Sequence, residues 1–176
     1  MNRTMSKKGK INIKSFRNPI QMDPNYPDNT WRLLKDAIHE IHKQNASGLS
    51  YEELYRNAYN MVLHKYGNLL YSGLEEVVDE HLREVSKTIS VAKTDEEFLG
   101  KLDEAWENHK ISMLMIRDIL MYMDRVYVLP ACRLPVYDLG LELFRKDIAK
   151  APDIQHRLSE IVLELIRLER TGERID

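Results

Sequence analysis

The stretch SYEELYRNAYNMVLHKYG, residues 50 to 67, decides the fold class of this chain. Its apolar residues recur every three or four positions, and this period predicts a helix over residues 50 to 66. Ser50 and Glu53 form a capping box, in which the serine oxygen accepts from an early backbone N–H and the glutamate reaches back. Gly67 is the predicted stop, because glycine commonly ends a helix.

The apolar arc of this helix spans about 180°, whereas a helix on a protein surface usually needs a stripe of a little over 100°. One half of the arc carries side chains that pack away from water: Leu54, Ala58 and Met61. The other half carries tyrosines, whose hydroxyl groups need water or a partner, together with Val62: Tyr51, Tyr55 and Tyr59. Two interpretations remain open here. The tyrosines lie half-buried under neighbouring helices, or they bind a partner, since tyrosine is enriched at interfaces.

Outside this stretch, the chain from residue 28 onward also has helical periodicity. With only 7 glycines and 6 prolines in 176 residues, long segments contain no helix breaker. The predicted helices cover about residues 28–45, 50–66, 68–91, 94–128, 136–149 and 153–171. No strand pattern and no internal repeat is visible. The sequence therefore predicts an all-α bundle of about six helices.

The long helix predicted to start at the capping box of Thr94 and Glu97 carries two lines of side chains. One line forms a core stripe: Phe98, Leu102, Ala105, Trp106, Met113, Ile116, Leu120, Met123 and Tyr127. The same spacing on another face gives Met115, Asp118, Tyr122 and Arg125. Methionine is frequent in residues 111 to 128, and it recurs at partner-binding surfaces because its shape adapts. Either the helix is central and buried all round, or its second face binds a partner.

Residues 1 to 27 differ from the helical domain predicted over residues 28–176. They contain three of the six prolines, a basic cluster and no helical period. These features predict a flexible arm. Three of its apolar residues, Phe16, Ile20 and Met22, are close together in sequence, and they either have no structural role or dock on a partner.

Composition excludes several classes of function. A net charge of −2 and a pI of about 6.3 give no basic stripe of the kind that nucleic-acid binders carry. Charged residues interrupt the most apolar stretch, residues 111 to 128, which argues against a membrane span. A single cysteine, Cys132, rules out an intrachain disulfide and indicates a reducing, intracellular setting.

No constellation of catalytic or metal-binding residues stands out. Cys132 has no motif around it. His39 and His42 are three residues apart and could share a metal, but the sequence offers no further ligands, and a solvated helix face is the better interpretation. No phosphate-binding glycine loop is present. We therefore predict no enzyme activity, no cofactor and no metal.

Two longer segments closely resemble the cullin family. The second-helix segment of cullins is similar to GLSYEELYRNAYNMVLHKYG at 48–67, followed by LYSGL at 70–74. A later cullin helix is similar to MIRDILMYMDRVYV at 115–128. LLKDAIHEI at 33–41 and ERTGERID at 169–176 are also similar. The segments look most like the cullin-3 group, whose members bind BTB-domain adaptors. The resemblance implies the fold of the first helical cullin repeat.

The resemblance also implies a function and a set of contact residues. Cullins assemble ubiquitin ligases, and this end of a cullin receives the substrate adaptor. Carried over by motif, the contacts would be Leu49, Tyr51, Glu52, Tyr55, Tyr59, Tyr122 and Arg125. Met115 joins them because it lies on the line of Tyr122 and Arg125. The arm residues Phe16, Ile20 and Met22 are expected to enter a groove on some adaptors.

Other partners follow from the resemblance as expectations. The C-terminal half of a cullin recruits the RING subunit and carries the lysine modified by NEDD8, and this sequence contains neither feature. We expect a non-catalytic scaffold module in the cytoplasm and nucleus. The alternatives are a cullin tip that binds a Skp1-like adaptor, a short natural form that sequesters adaptors, or a helical module that self-associates through its tyrosine and methionine faces.

Overall fold

The computed structural model describes residues 24–172, and within this range it contains helices and no strand. The six helices are α1 (Tyr26–His42), α2 (Tyr51–Leu63), α3 (Gly67–Ser90), α4 (Asp95–Met123), α5 (Val136–Phe144) and α6 (Pro152–Thr171). A 3-10 turn precedes α2, and π-helical turns follow α4 (Asp124–Val128) and α5 (Arg145–Ala149). The prediction of an all-α protein with about six helices is confirmed. The arm residues Phe16, Ile20 and Met22 lie outside the described range.

The helix starts follow the sequence signals closely. The Ser50 hydroxyl accepts from the Glu53 backbone N–H at 3.4 Å, and the Thr94 hydroxyl accepts from that of Glu97 at 3.1 Å. α1 begins at Tyr26, two residues earlier than predicted. Pro27 then lies in the first turn, where no intrahelical N–H bond is needed and proline is tolerated.

The predicted role of Gly67 as a helix stop is wrong. α2 already ends at Leu63, and Lys65 takes the left-handed conformation with φ of 71°. Gly67 instead begins α3 and is buried against Tyr127. A Cβ atom at Gly67 would lie 2.7 Å from the Tyr127 ring. The glycine therefore allows close approach of α3 to the turn after α4.

α4 is the central helix and packs against α1, α2, α3 and α5. Five residues of its predicted core stripe are at most 1% exposed: Phe98, Met113, Ile116, Leu120 and Met123. The other four, Leu102, Ala105, Trp106 and Tyr127, are only half-buried. Leu102 and Trp106 line an open groove beside α6, which explains their partial exposure. α6 packs against α3 and the turn after α5.

Trp31 of α1 packs directly on Gly73 of α3. A Cβ atom added at Gly73 would overlap Cζ2 of Trp31 and lie 2.6 Å from its Cε2. Gly73→Ala is therefore expected to lower the free energy of unfolding by about 1–3 kcal/mol, the usual cost of overpacking. This loss should exceed the gain of roughly 1 kcal/mol that alanine gives over glycine in a helix.

Urea unfolding of Gly73→Ala, measured alone and in a Trp31→Ala background, checks this prediction. Without the indole ring the alanine should stabilise the protein. A neutral or stabilising effect in the presence of Trp31 would show that α1 and α3 do not approach so closely.

Candidate protein-binding surface

The two halves of the apolar arc on α2 have different environments. Leu54, Ala58 and Met61 are at most 4% exposed, as expected for the half that packs away from water. Val62 is also buried, at 6%, although the helical wheel placed it with the tyrosines. Because α2 lies against both α1 and α4, its buried face is wider than one contact would need.

The tyrosines of α2 remain partly accessible. Tyr51 is 38% exposed, and Tyr55 and Tyr59 are half-buried. The Tyr55 and Tyr59 ring centroids are 6.4 Å apart, and those of Tyr59 and Tyr122 are 4.3 Å apart. Tyr55, Tyr59 and Tyr122 therefore form one aromatic group, here called the tyrosine cluster, that joins α2 to α4.

The remaining predicted contact residues surround this region in different environments. Leu49 is half-buried just before α2 and lines an apolar groove of about 310 Å³ with Leu33. Glu52 and Arg125 are exposed, and Met115 is half-buried against the core. Arg125 lies one turn beyond Tyr122, and its guanidinium is 3.5 Å from Sδ of Met121. The structure thus gives positions for all eight residues, and their binding role stays a prediction.

Several exposed apolar residues next to these positions escaped the sequence analysis. On α4, Ile111, Leu114 and Met121 are 43%, 40% and 39% exposed. They share a three-and-four spacing with Asp118 and Arg125, so the periodicity could have shown them. On α2, Leu63 is 51% exposed and follows Tyr59 by four residues. The exposed apolar surface therefore extends beyond the contact residues that were predicted from the sequence.

A second feature is a histidine-lined cavity of about 330 Å³ between α1, α3 and α4. The rings of His42 and His81 stack in parallel, with centroids 4.0 Å apart. His109 is only 3% exposed, and its Nε2 donates to the Gly140 carbonyl at 2.9 Å, since a carbonyl can only accept. The buried ring nitrogens of His42 and Nδ1 of His109 have no partner within the protein. The expectation of a solvated face is therefore wrong for His42.

Burial favours the neutral form of these histidines. It lowers the pKa of His42 to about 2, with further lowering by the nearby imidazoles. It also lowers the pKa values of His81 and His109. No group of three or more histidine, cysteine, aspartate or glutamate residues in the range 24–172 has an arrangement that could hold a metal ion.

The histidine cavity predicts a loss of stability at acidic pH. An unfolded histidine has a pKa near 6.5, so the unfolded chain takes up protons that folded His42 does not bind as the pH falls from about 6.5 toward 2. The free energy of unfolding should fall by up to about 1.4 kcal/mol per pH unit for this residue alone.

Urea unfolding between pH 7.5 and 5 measures this slope in wild type and His42→Gln. Titration of carboxylates is common to both proteins, so the difference in slope isolates His42. The variant should lose stability less steeply. Equal slopes would mean that His42 is protonated at similar pH in the folded and unfolded chain.

The comparisons with known proteins agree with the helical architecture. The family model of the cullin alpha solenoid domain matches residues 31–176. None of the helices within residues 24–172 is long and apolar enough to cross a membrane. The helices given above therefore agree with the alpha solenoid architecture that the family description names.

Sequence identity to this chain is higher for the cullin-3 relatives than for a cullin-4 relative. Cullin-3 of Dictyostelium discoideum is 53% identical over 96% of this chain, and cullin-3B of Arabidopsis thaliana is 50% identical over 97%. Cullin-4A of Homo sapiens is 34% identical over 95%. The chain spans 22 to 23% of the length of these relatives. The predicted resemblance to the cullin-3 group is confirmed, and the chain belongs to the cullin family.

Proposed function

We propose that this chain is the non-catalytic adaptor-docking module of a cullin scaffold in a ubiquitin ligase, and that it binds BTB-domain substrate adaptors. The observation that carries the proposal is the tyrosine cluster, in which partly accessible rings from two helices meet. The similarity to two cullin-3 proteins favours the BTB class of partner, which is the class that the cullin-3 resemblance implies.

The docking mechanism follows from the packing of the cluster. Tyr59 is in ring contact with both Tyr55 and Tyr122, so the rings are already ordered and lose little conformational freedom on binding. Tyr55 and Tyr59 act as central anchors. Tyr122 and the more exposed Tyr51 extend the apolar contact. An interface of standard size would bury about 1,600 Å² in total.

Charged residues at the edge of the surface orient the adaptor. Glu52 and Arg125 are both exposed, on α2 and on the turn after α4 respectively. Charges at an accessible rim influence specificity and association rate more than affinity, because water screens them. In this proposal the arm residues Phe16, Ile20 and Met22 add apolar contacts on some adaptors.

The wider role also remains a proposal, because the chain spans less than a quarter of the length of its relatives. RING-subunit recruitment and NEDD8 attachment would use the C-terminal half of a longer cullin. The module would work in the cytoplasm and nucleus. Its own contribution is to hold the adaptor, and no catalytic step is assigned to it.

A calorimetric titration with a BTB domain, in parallel with a Skp1-like adaptor, tests the proposal. Binding to the BTB domain alone is the expected result. Binding only to the Skp1-like adaptor would move the chain to the alternative partner class, and binding to neither would overturn the proposed function. Light scattering of the free chain would detect the remaining alternative, a concentration-dependent dimer.

A chain lacking residues 1–23 tests the arm separately. This truncation keeps all of α1, which begins at Tyr26. A moderate loss of affinity is expected if Phe16, Ile20 and Met22 contact the adaptor. Unchanged affinity would remove them from the interface while leaving the tyrosine cluster in place.

A further inference from the structure

The histidine cavity has the shape of a trough between α3 and α4, and the end of α1 closes one side of it. At the α1 end, the Gln44 amide donates to the Ser112 hydroxyl at 3.2 Å. At the other end, the Lys101 ammonium donates to the Thr88 carbonyl at 3.5 Å. The trough therefore follows α4 for about three turns, roughly 16 Å. Its volume of about 330 Å³ lies in the range of small-molecule pockets, roughly 300–1,000 Å³.

The α1 end of the trough contains ring nitrogens for which the protein supplies no partner. Both ring nitrogens of His42 and Nδ1 of His109 are buried and make no hydrogen bond within residues 24–172. Because Nε2 of His109 carries the proton that the Gly140 carbonyl accepts, its Nδ1 can only accept. A buried acceptor without a donor costs free energy, so a ligand that brings an N–H group would stabilise this end.

His81 controls access to these covered nitrogens. Its ring is half-buried, stacks on His42 with centroids 4.0 Å apart, and makes no hydrogen bond within the described part of the chain. A ring held by stacking alone can turn aside, and a flat aromatic ligand can then stack on His42 in its place. The floor next to it is apolar, since Leu82 and Ile89 are each 1% exposed. The trough therefore suits an aromatic ring.

The charges along the walls favour a cationic ligand. Lys101 is paired with Glu97 at 2.7 Å, and Glu84 is paired with Lys87 at 2.7 Å. Glu104 also lines the trough, is exposed, and has no ion pair among the described residues. Burial lowers the pKa values of the lining histidines, so they carry little positive charge at pH 7. The charge left to be neutralised is the carboxylate of Glu104.

We propose that the histidine cavity binds a small aromatic amine whose ring carries an N–H donor. The ring lies on the apolar floor with its N–H directed to His42 or His109, and the ammonium group pairs with Glu104. Glu104 and His109 are about 7–8 Å apart along the axis of α4, which suits an indole with a two-carbon amine chain. No residue of the tyrosine cluster lines this cavity, so the inference goes beyond the proposed function.

Titration of the full chain with tryptamine at pH 7.5, followed by calorimetry and by NMR of the histidine ring nitrogens, tests the inference. A dissociation constant of about 1 mM or lower is expected for a ligand of this size, together with a shift of the His109 Nδ1 resonance. Two matched ligands separate the contributions. Loss of the ring N–H in 1-methyltryptamine and replacement of the ammonium by a carboxylate in indole-3-propionate should each weaken binding about fivefold or more.

Glu104→Gln separates the proposed ion pair from general attraction to the chain. This substitution should weaken tryptamine binding about threefold or more, the upper range for an exposed ion pair, with an unchanged melting temperature. Glu96→Gln is the matched control, because Glu96 is also exposed on α4 but does not line the cavity. The control should bind tryptamine as wild type does.

Four outcomes would overturn the inference. The first is no saturable binding of tryptamine at concentrations up to about 10 mM. The second is equal affinity for tryptamine and either matched ligand, which would indicate unspecific uptake of the indole ring. The third is equal binding by wild type and Glu104→Gln, and the fourth is an unchanged His109 resonance, since both would place the ligand elsewhere. Titration with a BTB domain needs no amine, so the proposed function stands or falls separately.

Discussion

Tyr59→Ala is expected to weaken binding of a BTB adaptor by about 2 kcal/mol or more, roughly thirtyfold in the dissociation constant. The Tyr59 ring is in contact with the rings of both Tyr55 and Tyr122, so its removal also releases the rings that it orders. Central aromatic residues of this kind dominate the free energy of many interfaces. The fold should persist, because the buried face of α2 does not depend on Tyr59.

Calorimetric titration and a parallel thermal melt measure these two consequences. Tyr59→Phe keeps the ring and removes only the hydroxyl group, so a smaller loss is expected. Leu163→Ala on α6 controls for the removal of apolar surface elsewhere. A loss below about 0.5 kcal/mol for Tyr59→Ala, which is near neutral on the scale of alanine substitutions, would place this residue outside the centre of the interface.

Phe98→Ala is expected to lower the free energy of unfolding by about 3–5 kcal/mol, as large-to-small changes at buried aromatic residues do. Phe98 is 0% exposed near the start of α4. The Arg157 guanidinium lies 4.8 Å from its ring centroid and donates to the Ala92 carbonyl at 2.7 Å. The same guanidinium is paired with Asp95 at 2.8 Å. Loss of the ring would therefore leave a cavity and weaken the attachment of α6.

Urea unfolding gives the change in stability directly. Leu99→Ala is a suitable comparison, because Leu99 is the adjacent residue but is half-buried and lines an open groove. Its substitution should cost clearly less. A loss below about 1 kcal/mol for Phe98→Ala would mean that the α4 start relaxes around the cavity or is not firmly packed.

The sequence by itself determined the features that depend on local spacing. Helix type, approximate helix ends and the capping residues Ser50 and Thr94 depend on neighbours along the chain, and they were predicted from it. The division of α2 into a buried half and a tyrosine half followed from the same period. The family resemblance also depended on contiguous segments. The arm residues Phe16, Ile20 and Met22 lie outside residues 24–172, and their role and the binding roles of the other predicted residues stay predictions.

Only the tertiary structure decided how separate helices meet. The contact between Tyr59 and Tyr122 joins residues far apart in sequence, as does the stack of His42 on His81. Helical periodicity gives the direction of a side chain around its own axis, but not which helix lies opposite. For the same reason the sequence assigned Gly67 to a helix stop, whereas the fold uses its missing side chain to bring α3 against the turn after α4.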